Sequence, residues 1–107
     1  SLQSSMTLIS DTFTANSTPS KARIVVFAEL PDGTSDFAVS ATRDNTTFNT
    51  ITLTDEGYET GSSGIKVFTG STPLTGTASP QVQMRWKIVG SSLTGLNKIH
   101  GVSLQWS

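Results

Sequence analysis

Apolar residues along this chain recur at spacing two rather than at the three-and-four spacing of a helix, so the pattern predicts strands. The clearest segment is 82–89. There Val82, Met84, Trp86 and Ile88 fall on one face, and Gln83, Arg85 and Lys87 on the other. Residues 98–106 alternate as well, with His100, Val102, Leu104 and Trp106 in one phase and Gly101, Ser103 and Gln105 in the other. This phase places both tryptophans and the single histidine on the core side. Segment 36–43 puts Phe37, Val39 and Ala41 on one face. Segment 48–54 sets Ile51 and Leu53 inward and Thr50, Thr52 and Thr54 outward, and threonine suits an exposed pleated surface because it is β-branched yet polar.

Three further segments complete the pattern. Residues 6–13 read as a first strand with Ile9 and Phe13 directed to the core. Residues 21–30 contain the run Ile24-Val25-Val26-Phe27, apolar in both phases, which predicts a central strand covered on both faces. Residues 65–69 form a short strand. Turn chemistry separates them: Pro31-Asp32-Gly33 combines a fixed φ with a residue that accepts positive φ, and Asp44-Asn45 suits a hairpin. Residues 55–64 and 70–80 read as long loops, and 90–97 as a turn region. About seven to eight short strands with frequent turn signals predict an all-β chain, a jelly-roll-like antiparallel β-sandwich. Residues 1–5 are expected to be a linker or the start of a fragment, and 6–107 a single domain, as a 107-residue length allows.

Composition narrows the function. Charged residues make up 14% of the chain and the net charge is −1, with serine and threonine in place of charge. The seven lysines and arginines are scattered among acids rather than gathered into the basic stripe that a nucleic-acid binder uses, so no nucleic-acid partner is expected. With no cysteine there is neither a disulfide framework nor a thiolate metal site. No apolar run approaches a membrane span, so no membrane insertion is expected.

Nothing in the chain reads as an enzyme active site. His100 is the one histidine, and on an apolar strand face it reads as a core or core-edge residue rather than a general base or metal ligand. Asp55, Glu56 and Glu59 cluster in one loop. A glycosidase needs two carboxylates across a cleft, and the spacing fits no EF-hand, so a solvated loop accounts for the three acids. No catalytic residue, metal or cofactor is therefore expected. Two surfaces remain as candidate ligand-binding sites. Tyr58, beside Glu59, lies outside every alternating run; its ring could stack on a sugar or pin its own loop. Gln83, Arg85 and Lys87 line a polar strand face suited to glycan hydroxyls or to another subunit, or are an ordinary solvated face.

Several segments taken in order resemble a known domain. Residues 39–48 (VSATRDNTTF) resemble a Ser-Arg-Asp hairpin followed by Thr-Thr and an aromatic residue. Residues 52–58 (TLTDEGY), 68–70 (FTG) and 82–88 (VQMRWKI) follow, and the ending NKIHGVSLQW over 97–106 resembles an Asn-Lys…Lys-Ile-His-Gly-Val-Ala-Leu-Gln-Trp terminus. This series is similar to a domain recurrent in structural proteins of tailed bacteriophages and prophages, such as tail, fibre and virion-decoration components. Thr42 interrupts the Ser-Arg-Asp pattern, and the 90–95 turn is longer and richer in glycine than usual; both departures bear on surface contacts more than on fold. The resemblance implies a non-enzymatic virion role, with partners among other virion subunits or further copies of the chain, trimeric by analogy with fibres. It also implies contact with a host-surface glycan. A carbohydrate-binding module of a secreted or phage protein is the alternative.

Overall fold

A computed structural model describes residues 5–31, 33–61, 64–91 and 97–107. Their secondary structure is all β. Nine strands follow in order: β1 (Met6–Ile9), β2 (Phe13–Thr14), β3 (Lys21–Glu29), β4 (Phe37–Thr42), β5 (Asn49–Ile51), β6 (Thr54–Tyr58), β7 (Lys66–Pro73), β8 (Gln83–Gly90) and β9 (Lys98–Trp106). One sheet has the order β1-β8-β4-β5, with β2 also pairing to β8. The other has the order β6-β7-β3-β9, and all the named strand pairs are antiparallel. The chain crosses repeatedly from one sheet to the other, which makes this β-sandwich jelly-roll-like.

The core is the product of the alternation. Ala22, Ile24, Val26 and Ala28 of β3 and Phe68 of β7 face Val39 and Ala41 of β4, Ile51 of β5, and Met84 and Ile88 of β8. Trp86 and Trp106 pack against this cluster while remaining partly exposed. At ~1.5–3 kcal/mol per buried large aliphatic side chain, these residues dominate the stability of so small a domain. Gly70 belongs to the same packing. It lies on β7 where β5 leaves its sheet, and a Cβ there would collide with the Thr52 carbonyl oxygen and with Ile51 Cγ2. The absent side chain lets the two sheets approach as the chain crosses between them.

Several expectations are corrected. Ile9 and Phe13 are 47% and 45% exposed rather than core. Ser10 ends β1: its N–H donates to the Trp86 carbonyl and its hydroxyl accepts the Trp86 N–H, each at 3.0 Å. The predicted first strand is thereby split in two, and Leu8 rather than Ile9 reaches the core. β3 is central in its sheet but covered on one face; Val25 and Phe27, on the other, are half-buried among same-face neighbours. Residues 54–58 are a strand at the sheet edge rather than a loop, and β7 continues to Pro73.

The phase of β9 is also corrected, at one point. Phe27 pairs with Gly101 and Ala28 with Ile99, so His100 is an extra residue in a bulge. The bulge returns Ile99 to the core and leaves His100 exposed. Val102, Leu104 and Trp106 beyond it keep the predicted inward face.

Candidate functional site

The candidate residues fall into two separate groups, one on each sheet. Tyr58 ends β6 at the edge of the four-stranded sheet and is 67% exposed. Glu59 follows it, with its N–H donating to the Ile65 carbonyl at 2.7 Å. Gln83, Arg85 and Lys87 lie on β8, inside the five-stranded sheet.

Around Tyr58 the backbone is shaped by a carboxylate. Asp55 Oδ1 accepts the Gly57 N–H at 2.8 Å, which closes a tight turn inside the edge strand and shifts the β6–β7 register between Asp55 and Tyr58. Lys66 of β7 donates to Asp55 Oδ2 at 2.8 Å, and its ammonium lies 5.0 Å from the centroid of the Tyr58 ring. The Lys66 ammonium, then the Gly57 N–H, hold the Asp55 carboxyl below its ordinary range, while Asp55 raises the Lys66 ammonium. Both groups are therefore charged at neutral pH.

Tyr58 and Lys66 line a hollow of about 430 Å³ with Glu29, Leu30, Pro31 and Gly64. Glu29 Oε2 lies 2.8 Å from His100 Nε2, so the bulge at the start of β9 delivers the histidine to the carboxylate of the neighbouring strand. An exposed aromatic ring, an ammonium and a carboxylate thus surround one depression, and the imidazole of His100 holds the carboxylate from outside it. That set can hydrogen-bond hydroxyls and stack on a ring. Sequence reasoning found Tyr58 here and missed Glu29 and Lys66, and with them the contact of His100 with Glu29. Gly101 was the available signal for His100, because a glycine inside a strand marks a bulge.

On β8, Arg85 and Lys87 have partners within the chain. Arg85 Nε donates to the Ser10 carbonyl at 2.9 Å, and its Nη1 to Asn45 Oδ1 at 3.1 Å. Lys87 lies over the Phe48 ring, 4.4 Å from its centroid. The Gln83 backbone N–H donates to the Arg43 carbonyl at 2.8 Å. The Arg85 side chain and the Gln83 backbone thus brace the turn after β4, and Arg85 also the break after β1.

The turn after β4 holds an extended polar cluster. Asp44 is 4% exposed and Thr42 fully buried. Asp44 Oδ1 accepts the Thr42 hydroxyl at 2.9 Å and the N–H groups of Thr46 at 3.0 Å and Thr47 at 2.8 Å; Oδ2 accepts the Ala78 N–H at 3.0 Å. Burial is the largest influence on this carboxyl and opposes its charge. The N–H groups of Thr47, Thr46 and Ala78 and the Thr42 hydroxyl together outweigh it, so the acid is held far below its ordinary range. Arg43 beside it donates to the carbonyls of Gly76 at 2.7 Å and Pro19 at 2.8 Å. The triplet Thr42-Arg43-Asp44 therefore joins segments 15–20, 44–48 and 74–78. Its residues face inward and find partners within the chain, which makes it a structural joint rather than a ligand site.

Among the described residues no group of three or more histidine, cysteine or acidic side chains is arranged to hold a metal ion. Comparison with protein-family models, with curated proteins and with solved structures gives no match.

Proposed function

We propose that the chain is a non-enzymatic structural domain of a tailed-phage or prophage particle, in a tail, fibre or capsid-associated protein, and that it contributes to contact with the host surface. One observation carries the reading: the segments on which the resemblance rests are those that build the sandwich. Residues 39–48 form the Asp44 joint. Residues 52–58 carry the crossing between sheets and the Asp55 turn. Residues 68–70 include the glycine at the close approach of the sheets. Residues 82–88 run along β8, between β1 and β4, and 97–106 include β9. A domain whose recognisable residues serve shape rather than chemistry fits a particle component.

The test is physical association. Particles from the producing strain, purified on a density gradient, are expected to carry the domain together with tail and capsid proteins, as detected by mass spectrometry and antibody labelling. Recovery solely from the free protein fraction would overturn the proposal.

A second reading, a carbohydrate-binding module, is favoured by the exposed Tyr58 ring at the rim of the hollow. Sugar rings stack on phenol faces, and Glu29 and Lys66 supply hydrogen-bonding groups around it. A glycan array is expected to show binding that Tyr58→Ala removes. An empty array, with unchanged whole-cell binding by Tyr58→Ala, would dispose of it.

A further inference from the structure

An exposed strand edge presents unpaired N–H and C=O groups, and proteins blunt such edges with short strands, bulges and charge. Three of the four edges here are blunted. In the five-stranded sheet, β1 has four residues and β5 has three. In the other sheet, β6 has five residues, a register shift and two acids, Asp55 and Glu56. The fourth edge, β9, runs for nine residues. Its bulge and its charged or titratable side chains, Lys98 and His100, are confined to one end. From Val102 to Trp106 it carries no charge, no proline and no register shift.

We infer that two copies of this chain pair through the Val102–Trp106 edge of β9, antiparallel about a two-fold axis at Leu104, joining their four-stranded sheets into one. The hydrogen-bond phase of the edge carries the inference. Lys21 and Ser107 exchange both backbone bonds, at 3.3 and 3.1 Å. In an antiparallel ladder such pairs alternate with non-bonded ones. The β9 residues that bond inward to β3 are therefore Gln105 and Ser103, opposite Arg23 and Val25. The N–H and C=O groups of Val102, Leu104 and Trp106 point away from β3, to the side on which no strand of the described residues pairs with β9.

A two-fold axis at Leu104 sets Leu104 opposite its own copy and Val102 opposite Trp106. Each outward N–H then meets an outward C=O of the copy. No other centre on the edge uses all three residues. The side chains agree with the backbone. Val102, Leu104 and Trp106 lie against the core yet remain half-exposed, so pairing continues the apolar layer from one copy to the next. Ser103 falls opposite Gln105 on the outer face, and like charges are not brought together. A second copy is thus a fitting occupant of this edge in both hydrogen bonding and charge.

Sedimentation of the chain at tens to hundreds of micromolar tests the pairing. A dimer is expected. Ser103 and Gln105 are exposed, so lysines there leave the fold intact, as an unchanged circular dichroism melt verifies. The double variant S103K/Q105K places like charges opposite each other twice per dimer and is expected to raise the dissociation constant by ~5- to 10-fold. The double variant S103K/Q105E places opposite charges at the same positions and is expected to restore the wild-type constant or better. A monomer at ~1 mM, a trimer, which a two-fold interface cannot build, or a dimer indifferent to both charge patterns would overturn the inference. Particle association is a separate measurement, so failure of one proposal leaves the other standing.

Discussion

Asp44 and Asp55 start from the same local chemistry and end in different roles. Each opens a turn by accepting the N–H two residues ahead, from Thr46 at 3.0 Å and from Gly57 at 2.8 Å. Each is held below the ordinary carboxylate range. Asp44 is buried and collects further donors from Thr42, Thr47 and Ala78, whereas Asp55 is exposed and adds a lysine. The buried acid fixes the path of the chain. The exposed one positions a lysine beside a tyrosine at a surface hollow. Burial rather than residue type separates scaffold from site, because water can replace the partners of an exposed carboxylate but not those of a buried one.

Removal of the buried member should have the largest consequence. Asp44→Ala leaves three backbone N–H groups and a buried hydroxyl without their acceptor. At ~1–3 kcal/mol for each donor left unsatisfied, partly recovered by relaxation and water entry, the loss is expected to reach ~3–5 kcal/mol in urea denaturation. That is a large fraction of the ~5–15 kcal/mol available to a small domain. A loss below ~1 kcal/mol would show that the joint is dispensable. The pH dependence follows from the same contacts. The folded-state pKa of Asp44 lies below its unfolded value of about 3.8, so its contribution to stability is complete above that value and is lost as pH falls below it toward the folded pKa. Wild-type stability should therefore fall on acidification below about pH 4, and the Asp44→Ala protein should show a shallower acid limb.

Gly76 offers a subtler way into the same joint. A Cβ at this position would overlap the Asp44 carboxylate. Gly76→Ala is expected to displace the carboxylate from its donors and cost ~2–3 kcal/mol, less than deletion of the acid because part of the network can re-form. If the damage runs through Asp44, the two substitutions are not additive: G76A should cost little in a D44A background. Full additivity in a double-mutant cycle would mean that Gly76 matters for its backbone alone.

Legibility in the sequence follows the reach of the interactions. Alternation needs neighbours two residues apart, and it placed β8 within one residue and β9 at its observed ends. One bulge at His100 defeated the phase locally, because a single added residue exchanges the two faces. Ile9 and Phe13 were misplaced because Met6 and Leu8 in the opposite phase are equally apolar, and the pair of hydrogen bonds between Ser10 and Trp86 that settles the matter joins residues seventy-six positions apart. Tyr58 was legible as an exposed aromatic residue. Its hollow was not, since Glu29, Leu30 and Pro31 come from the end of β3, distant in the chain. Asp44-Asn45 was legible as a turn, but its burial depends on Ala78, thirty-four positions on.

The exposed member of the pair should yield the smallest change in stability and the more specific change at the surface. Asp55 and Lys66 lose little by separating, since water solvates each and salt already screens their attraction. Asp55→Asn keeps an oxygen for the Gly57 N–H and removes the charge that holds the lysine. The melting midpoint should then stay close to wild type at neutral pH. Without Asp55 the Lys66 ammonium is no longer raised, so its titration, followed by NMR of the ε-methylene group, should move down toward the ordinary lysine value of 10.5. Tyr58 should register the change through the chemical shifts of its ring, over which the ammonium now sits at 5.0 Å. A large stability loss in Asp55→Asn would place this acid with Asp44 as part of the scaffold, and the distinction between the two turns would fail.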